Sequence, residues 1–361
     1  MNIHLLSIGT ALPTHGIEQT LSATLAATRG GNDQGSSRLL PALYRRSGVK
    51  FRSSVLLDDD RGLEESQDFF PPALDGEDNG PNTAQRMQRY QEEAAPLAIK
   101  AAQEAIASSK IDRAAIAHLI TVSCTGFAAP GVDITLIKQL GLSPTISRTH
   151  IGFMGCHGAF NALRTASALV HQSNAPALIC AVELCSLHFA YGASPQQIVA
   201  NSLFADGAGA AILAPAAPTD DAWNIQAHGS CLMPDSEDAM SWTVGNHGFA
   251  MTLSPQVPHL ITANLKPWLS QWLAQQDLSI EAIKSWAVHP GGPRILDAVA
   301  EPLNLPREAL ADSLEVLSTC GNMSSPTILF ILDRLRKRQA PRPCVALGFG
   351  PGLAIEAMLI R

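Results

Sequence analysis

The feature that most constrains the fold is an alternation of short apolar segments with longer segments of helical spacing. Strands are predicted at residues 3–12, 118–123, 177–182, 285–289, 343–348 and 353–360. Helices are predicted at residues 83–109, 132–140, 257–275 and 325–338. Residues 214–221 have the composition of a linker, and strands alternate with helices on both sides of it. The sequence therefore predicts an α/β chain of two similar halves, residues 1–215 and 216–361.

Composition indicates a globular protein with a large interior. Of the 361 residues, 46% are hydrophobic and 16% are charged. The net charge of −7 and the aromatic content of 5% give no reason to expect nucleic acid as a partner. No signal peptide is visible and no apolar run is long enough to span a bilayer, so a cytoplasmic location is expected. The seven cysteines are odd in number and lack CxxC spacing, which indicates neither a disulfide framework nor a zinc site.

Cys156 stands in a segment that predicts a strand, a tight turn and a helix. Apolar residues precede it, glycines occupy positions 155 and 158, and helical spacing begins at Ala159. A cysteine at a helix N-terminus is favoured as a thiolate by the unpaired N–H groups and the helix dipole. Cys156 is therefore a candidate nucleophile, and a small buried cysteine at a crowded turn is the alternative.

His289 and Asn322 share the setting of Cys156. Each follows a predicted strand, at residues 285–289 or 315–319, and stands beside glycines at a turn into a helix. In α/β sheets such strand ends converge on one site. Cysteine with histidine makes an activated nucleophile, and asparagine adds a donor for developing negative charge. A structural histidine and a turn asparagine are the alternatives. The order Cys, His, Asn also fits a papain-like protease, but the strand–helix alternation and the mid-chain cysteine argue against one.

Four cations lie within eight residues of this acidic chain: Arg45, Arg46, Lys50 and Arg52. A solvated surface is one interpretation of such a cluster. A site for a phosphate-bearing ligand is the other.

Four segments resemble those of the type III polyketide synthases, the chalcone and stilbene synthase superfamily, within the thiolase fold. They are residues 286–297 around His289, Gly321-Asn322-Met-Ser-Ser, Gly348-Phe-Gly-Pro-Gly352, and residues 202–208 around Phe204. The similarity can be followed from about residue 3 to the end of the chain. It implies a thiolase-like α/β fold, with two similar βαβ halves forming a layered α/β/α/β/α core.

The resemblance also implies roles for these residues. Cys156 would accept the acyl group, while His289 and Asn322 would bind the thioester carbonyl and stabilise the enolate formed on decarboxylation. The cluster from Arg45 to Arg52 would hold the coenzyme A phosphates. The family uses acyl-CoA and malonyl-CoA, needs no metal or redox cofactor, and forms homodimers.

Further positions correspond to the family's pocket. Phe204 and Met251 occupy the two gatekeeper positions, and the segment that guides cyclisation is Gly348, Phe349, Gly350, Pro351 and Gly352. The remaining pocket positions are Cys124, Ala129, Cys185, His188 and Ser324. Met251 replaces the usual phenylalanine, Ala129 a methionine and His188 a small residue, while His157 follows the nucleophile. The segment from Cys124 resembles bacterial members.

The sequence thus predicts a decarboxylative condensing enzyme. It would load a medium or long fatty acyl starter on Cys156, extend it with malonyl-CoA, and release a pyrone or resorcinol. An initiating ketoacyl-ACP synthase is the nearest alternative, and a catalytically silent thiolase-fold binding protein is another.

Overall fold

The computed structural model describes residues 2–29, 34–192, 194–215 and 223–361, without the side chains of residues 34–38 and 64. The strands are β1 Ile3–Ala11, β2 Gly16–Glu18, β3 Phe51–Ser53, β4 His118–Ser123, β5 Ser147–Gly152, β6 Ala177–Leu184, β7 Asp206–Ala214, β8 Trp223–Leu232, β9 Met240–Gly245, β10 Gly248–Leu253, β11 Ser285–Val288, β12 Cys344–Gly350 and β13 Ala354–Ile360. The helices are α1 Gln19–Ala27, α2 Gln34–Arg46, α3 Thr83–Ser109, α4 Val132–Leu140, α5 Gly158–Ser173, α6 Pro195–Leu203, α7 Val257–Ala274, α8 Pro293–Leu303, α9 Ala311–Cys320 and α10 Thr327–Lys337.

Nine strands form one sheet in which a single topology occurs twice. Their order is β11-β12-β13-β8-β1-β7-β6-β4-β5, and β1 pairs antiparallel with β8 at the junction. Outward from the junction, β7-β6-β4 on one side corresponds to β13-β12-β11 on the other. Counted outward from β1 on one side and from β8 on the other, the first two strand pairings are antiparallel and the third is parallel. The division between residues 215 and 216 stays a prediction, because most of the predicted linker lies outside the described residues.

The side chains of the sheet alternate between an inner and an outer core, as strand geometry requires. In β13, Met358 and Ile360 join a central cluster that also contains residues of α5 and α10. Ala357 and Leu359 instead pack with residues of α7 and α8. In the other half, α3 and α4 cover the outer face. Helix pairs and sheet halves therefore alternate in five layers, with α5 and α10 in the middle.

Two predicted helices are confirmed together with the residues that begin or end them. The Asn82 side chain accepts a hydrogen bond from the Gln85 N–H, and Gln85 Oε1 accepts one from the Asn82 N–H. This reciprocal cap starts α3 at the predicted residue. Helix α4 ends at Gly141, whose φ of 64° is the left-handed conformation that favours glycine.

Other expectations were wrong. Residues 315–319 are not a strand, because they lie within α9, where the buried residues Asp312, Ser313, Val316 and Leu317 recur at helical spacing. Asn322 consequently follows a helix. The strand before Cys156 is a half-exposed edge strand, β5, and ends at Gly152 instead of running on as a buried strand. Among the described residues, no helix is long and apolar enough to cross a membrane.

Candidate active site

A cavity of about 350 Å³ opens beside Cys156. This volume is at the lower end of the range for small-molecule sites, about 300–1,000 Å³. The predicted site residues that line it, besides Cys156, are Cys124, Cys185, His188, Phe204, Met251, Ser324, Pro351 and Arg52. Nine of the residues that line this cavity, from segments far apart in the chain, were therefore predicted from the sequence.

The turn that carries Cys156 is held by a close contact. Cys156 lies in a short 3-10 segment, Gly155–His157, which leads directly into α5. Gly155 has a φ of 67°, and a Cβ there would lie 2.5 Å from Pro351 Cδ. Only glycine fits at this contact, through which the Gly155–His157 turn packs against the Gly348–Gly352 segment. The Cys156 thiol is free and 9% exposed.

His289 and Asn322 are both buried, 1% exposed each, and neither side chain is fully committed within the protein. His289 follows β11, and its main-chain N–H donates to Leu347 O at 2.8 Å. Among the described residues, neither of its ring nitrogens has a hydrogen-bond partner. Asn322 Oδ1 accepts from the Ser324 N–H at 2.8 Å, which leaves its amide N–H groups to donate. Both side chains thus retain N–H groups that can donate, but neither residue is among those that line the cavity beside Cys156.

Electrostatics at the site combine burial with hydrogen bonding. Burial raises the pKa of Cys156 to about 11, while hydrogen bonds with Ser324 and Asn322 act in the opposite direction. Burial, helped by the nearby His157, lowers the pKa of His289 to about 3. Burial thus disfavours either charge formed alone. At neutral pH these pKa values favour a neutral thiol and a neutral imidazole, and an ion pair between them would need a mutual attraction larger than the cost of burying both charges.

Glu183 is a buried residue of the site that sequence reasoning missed. Its carboxylate accepts hydrogen bonds from the Cys124 N–H at 2.9 Å, the Thr125 hydroxyl at 2.7 Å and the Ser325 hydroxyl at 2.6 Å. Burial raises its pKa. It joins the loop after β4 to the segment after Asn322. A lone glutamate at the end of an otherwise apolar strand was the available signal.

Three rings in mutual contact lie on one side of the cavity. His188 Nε2 donates to Thr125 O at 2.6 Å, and its Nδ1 accepts from the Phe249 N–H at 3.0 Å. The His188 ring stacks on Phe249 with centroids 4.2 Å apart, and Trp242 meets His188 edge-on. Burial lowers the pKa of His188 to about 3, so this ring is neutral with its proton on Nε2. Trp242 and Phe249, both missed from the sequence, lie on the β9–β10 hairpin.

The four clustered cations occupy two different environments. Arg45, Arg46 and Lys50 are exposed. Arg52 is buried, and its guanidinium donates to Phe204 O at 2.8 Å, to Asn201 O at 2.5 Å and to the Ser22 hydroxyl. Because these acceptors occupy its donors, we withdraw the expectation that Arg52 binds coenzyme A phosphate.

The remaining predicted residues lie outside the cavity lining. Ala129 is exposed on the loop after β4. Gly348, Phe349 and Gly350 close β12, while Gly352 belongs to the following turn. In the part of the chain that the structure describes, no group of three or more His, Cys, Asp or Glu side chains is arranged to hold a metal ion.

Comparisons with known proteins identify the family. Residues 2–218 match the N-terminal domain of the chalcone and stilbene synthases, and residues 224–361 match the C-terminal domain. The chain is 32% identical over 338 residues to the α-pyrone synthesis polyketide synthase-like Pks18 of Mycobacterium tuberculosis, covering 91% of this chain and 83% of that protein. It is 33% identical over 272 residues to the 1,3,6,8-tetrahydroxynaphthalene synthase of Streptomyces peucetius, covering 73% and 72%.

The predicted fold class is confirmed by a solved structure. PKS-I of the brown alga Ectocarpus siliculosus superposes with a TM-score of 0.93 at 30% identity, covering 100% of this chain and 98% of that one. The fold is therefore thiolase-like. The chain belongs to the chalcone and stilbene synthase family, the type III polyketide synthases, which are CoA-dependent, decarboxylating acyltransferases that need no cofactor beyond their CoA thioester substrates.

Proposed function

We propose that this protein transfers an acyl starter from coenzyme A to Cys156, extends it with malonyl-CoA, and releases a cyclised pyrone or resorcinol. The observation that carries the proposal is a free cysteine that lines a cavity together with Ser324 and Phe204, in a chain whose buried His289 has no described hydrogen-bond partner on either ring nitrogen. The Mycobacterium relative is named for α-pyrone synthesis, which supports the pyrone outcome.

The loading step uses the thiolate of Cys156. The sulfur attacks the thioester carbonyl of the starter, the carbon–sulfur bond to coenzyme A breaks, and coenzyme A leaves as a thiolate that takes up a proton. His289 removes the proton of Cys156, for which its unpartnered ring nitrogens suit it.

The extension step uses His289 and Asn322. Malonyl-CoA loses its carboxylate as CO₂, and the electron pair of the broken bond forms an enolate on the remaining acetyl-CoA. The His289 N–H and the Asn322 amide donate to the enolate oxygen. The enolate carbon then attacks the acyl carbonyl on Cys156, and the Cys156 thiolate is released.

We propose a medium or long fatty acyl starter. The rings of His188, Phe249 and Trp242 lie on one side of the cavity, which narrows the space for an aromatic starter there. Apolar side chains line another part, next to α1: Leu25, Ala26, Leu56, Leu57 and Phe70. The flexible Met251 lies at the second gatekeeper position, where it can move aside for an alkyl tail.

Binding of the coenzyme A phosphates is assigned to the three exposed cations, Arg45, Arg46 and Lys50. We also propose a homodimer. Phe127, Phe153 and Met154 are 52%, 37% and 38% exposed, and Phe127 and Phe153 both contact the buried ring of Phe249. Such a group of exposed apolar side chains beside Ala129 is typical of an interface. Sedimentation of the purified protein at the mass of one chain would contradict this.

The test of the proposed function is incubation of the purified protein with a panel of acyl-CoAs and malonyl-CoA, followed by mass spectrometry. Extended, cyclised products should form without any carrier protein, and alkyl starters should react faster than aromatic ones. Extension only with an acyl carrier protein would favour the ketoacyl-ACP synthase. No extension in either case would favour the silent binding protein.

A further inference from the structure

The residue after the nucleophile, His157, is anchored by a chain of buried polar groups that the proposed reaction does not use. His157 Nδ1 lies 3.1 Å from Asn161 Oδ1, and Asn161 Nδ2 lies 3.2 Å from Glu356 Oε1. Glu356 also accepts from the Ser230 hydroxyl at 2.9 Å and pairs with Arg164 at 2.5 Å. His157, Asn161 and Glu356 are all less than 9% exposed.

The Glu356 carboxylate determines which group donates in each hydrogen bond between His157, Asn161 and Glu356. Paired with the Arg164 guanidinium, it only accepts, so the Asn161 amide turns its NH₂ group to Glu356. The Asn161 oxygen therefore faces His157, and His157 must carry its proton on Nδ1. Burial lowers the pKa of His157, with the charge of Glu356 and the Asn161 hydrogen bond acting in the opposite direction.

The ring that is fixed in this way packs directly against the segment that borders the cavity. A Cβ on Gly350 would lie 2.3 Å from His157 Cδ2, and a Cβ on Gly155 would lie 2.5 Å from Pro351 Cδ. Two close contacts thus interlock the nucleophile turn with Gly350 and Pro351. Pro351 lines the cavity beside Cys156, so the orientation of the His157 ring is transmitted to the space in which an acyl chain on Cys156 must fold.

We propose that His157 is a positioning residue for ring closure. Held with its proton on Nδ1 by Asn161 and Glu356, its ring fixes the position of Pro351 relative to the acyl group on Cys156. The inference rests on the proposed function, because it needs an extended chain on Cys156. Loading and extension use Cys156, His289 and Asn322, so loss of this anchor should affect cyclisation more than loading.

The test separates loading from cyclisation in Asn161→Leu, which has a similar size and loses both hydrogen bonds. Loading is measured by mass spectrometry as the amount of acylated Cys156 formed with the starter alone. Cyclisation is measured as the ratio of cyclic to open-chain products formed with malonyl-CoA. We expect loading to stay within about twofold while the ratio falls by about tenfold, since small misplacements near reacting groups cost factors of this order. Glu356→Gln keeps an acceptor oxygen for Asn161 and should stay nearer the wild-type ratio.

Ser167→Ala is the matched control, because Ser167 lies on α5 and bonds Leu163 O and His228 but no member of the His157 chain. It should change neither quantity. An unchanged product ratio in a folded Asn161→Leu would overturn the positioning role. Absence of loading and extension in the wild-type protein would instead overturn the proposed function.

A spectroscopic measurement keeps the inference testable if Asn161→Leu does not fold. In wild-type protein labelled with ¹⁵N-histidine, the His157 signals, assigned with His157→Gln, should show the proton on Nδ1 at neutral pH. A proton on Nε2 would contradict the anchoring by Asn161 and Glu356.

Discussion

Phe204 and Asn322 are joined by their main chains in a short parallel bridge. The Asn322 N–H donates to Leu203 O at 2.8 Å, and the Ala205 N–H donates to Asn322 O at 2.9 Å. Phe204 lines the cavity, while Asn322 is the proposed donor to the enolate oxygen. The bridge therefore sets the distance between the proposed gatekeeper and the proposed catalytic amide.

Arg52 supports this bridge, and its loss should reduce stability. Arg52→Met removes the donors to Phe204 O and Asn201 O, at roughly 1–3 kcal/mol for each buried acceptor left unpaired. Urea unfolding should show the decrease in the free energy of unfolding. Arg46→Met, on the exposed part of the same cluster, is the control and should change it by less than about 0.5 kcal/mol. Equal stability of the two variants would show that the Arg52 hydrogen bonds do not matter.

The three exposed cations should affect substrate binding and not stability. Replacing Arg45, Arg46 and Lys50 together by glutamine should raise KM for CoA thioesters, because each charge-assisted phosphate contact contributes roughly 1.5–3 kcal/mol. The effect should shrink at high salt, which screens exposed charges. Steady-state kinetics at two ionic strengths measure this. An unchanged KM at low salt would identify the cluster as solvated surface.

The apolar part of the cavity next to α1 should set the length of the starter. Ala26 lines it and is 5% exposed, so Ala26→Phe should shift the preferred acyl-CoA to fewer carbons, by about 0.8 kcal/mol for each CH₂ no longer buried. Relative kcat/KM values over a series of chain lengths measure the shift. Thr24→Phe, exposed on the same helix, should leave the series unchanged. If both variants behave alike, the tail does not run beside α1.

The pH dependence of Cys156 alkylation tests the proton transfer to His289. Burial raises the pKa of the Cys156 thiol to about 11, and in His289→Ala no imidazole is present to take its proton, so the thiolate fraction should grow with pH. The iodoacetamide rate should then rise about tenfold per pH unit between about pH 7 and 9. The proposed proton transfer to His289 would already supply the thiolate in wild type, so the wild-type rate should be nearly flat over this range. A wild-type rate that rises as steeply as the variant's would rule out the ion pair.

The sequence predicted those parts of the structure that depend on local patterns. Caps and glycines located α3 and α4, and runs of buried apolar residues located β4, β6 and β11. Segment α9 was misread because a five-residue window cannot separate a strand from a helix, whereas residues 312–317 show helical spacing. The hairpin β9–β10 was missed even though apolar Met240, Trp242 and Val244 alternate with polar residues in β9, which is the period-2 pattern of a strand.

Among the polar residues of the site, too, only those in a local sequence motif could be predicted. Cys156, Phe204 and Ser324 were found because their motifs are local in the sequence. The roles of Arg52, Glu183 and Glu356 depend on partners more than 50 residues away, so nothing in their own segments distinguishes them. Arg52 in particular has the same sequence environment as the exposed Arg46, and only the folded chain separates the two.

The separate roles proposed for Cys156 and for the pair His289 and Asn322 can be tested with Cys156→Ala. The variant should form no extended product, because no acyl group can be held. It should still release CO₂ from malonyl-CoA, because the donors to the enolate oxygen remain. Release of ¹⁴CO₂ from labelled malonyl-CoA measures the second activity. Full condensation by this variant would exclude Cys156 as the nucleophile.

The acyl-enzyme itself gives the most direct test of the central claim. Wild-type protein incubated with a fatty acyl-CoA alone, then digested and analysed by mass spectrometry, should carry the acyl mass on the peptide containing Cys156. That mass should disappear when malonyl-CoA is added and extended product forms. An acyl group found on another cysteine, or on none while product still forms, would contradict the account.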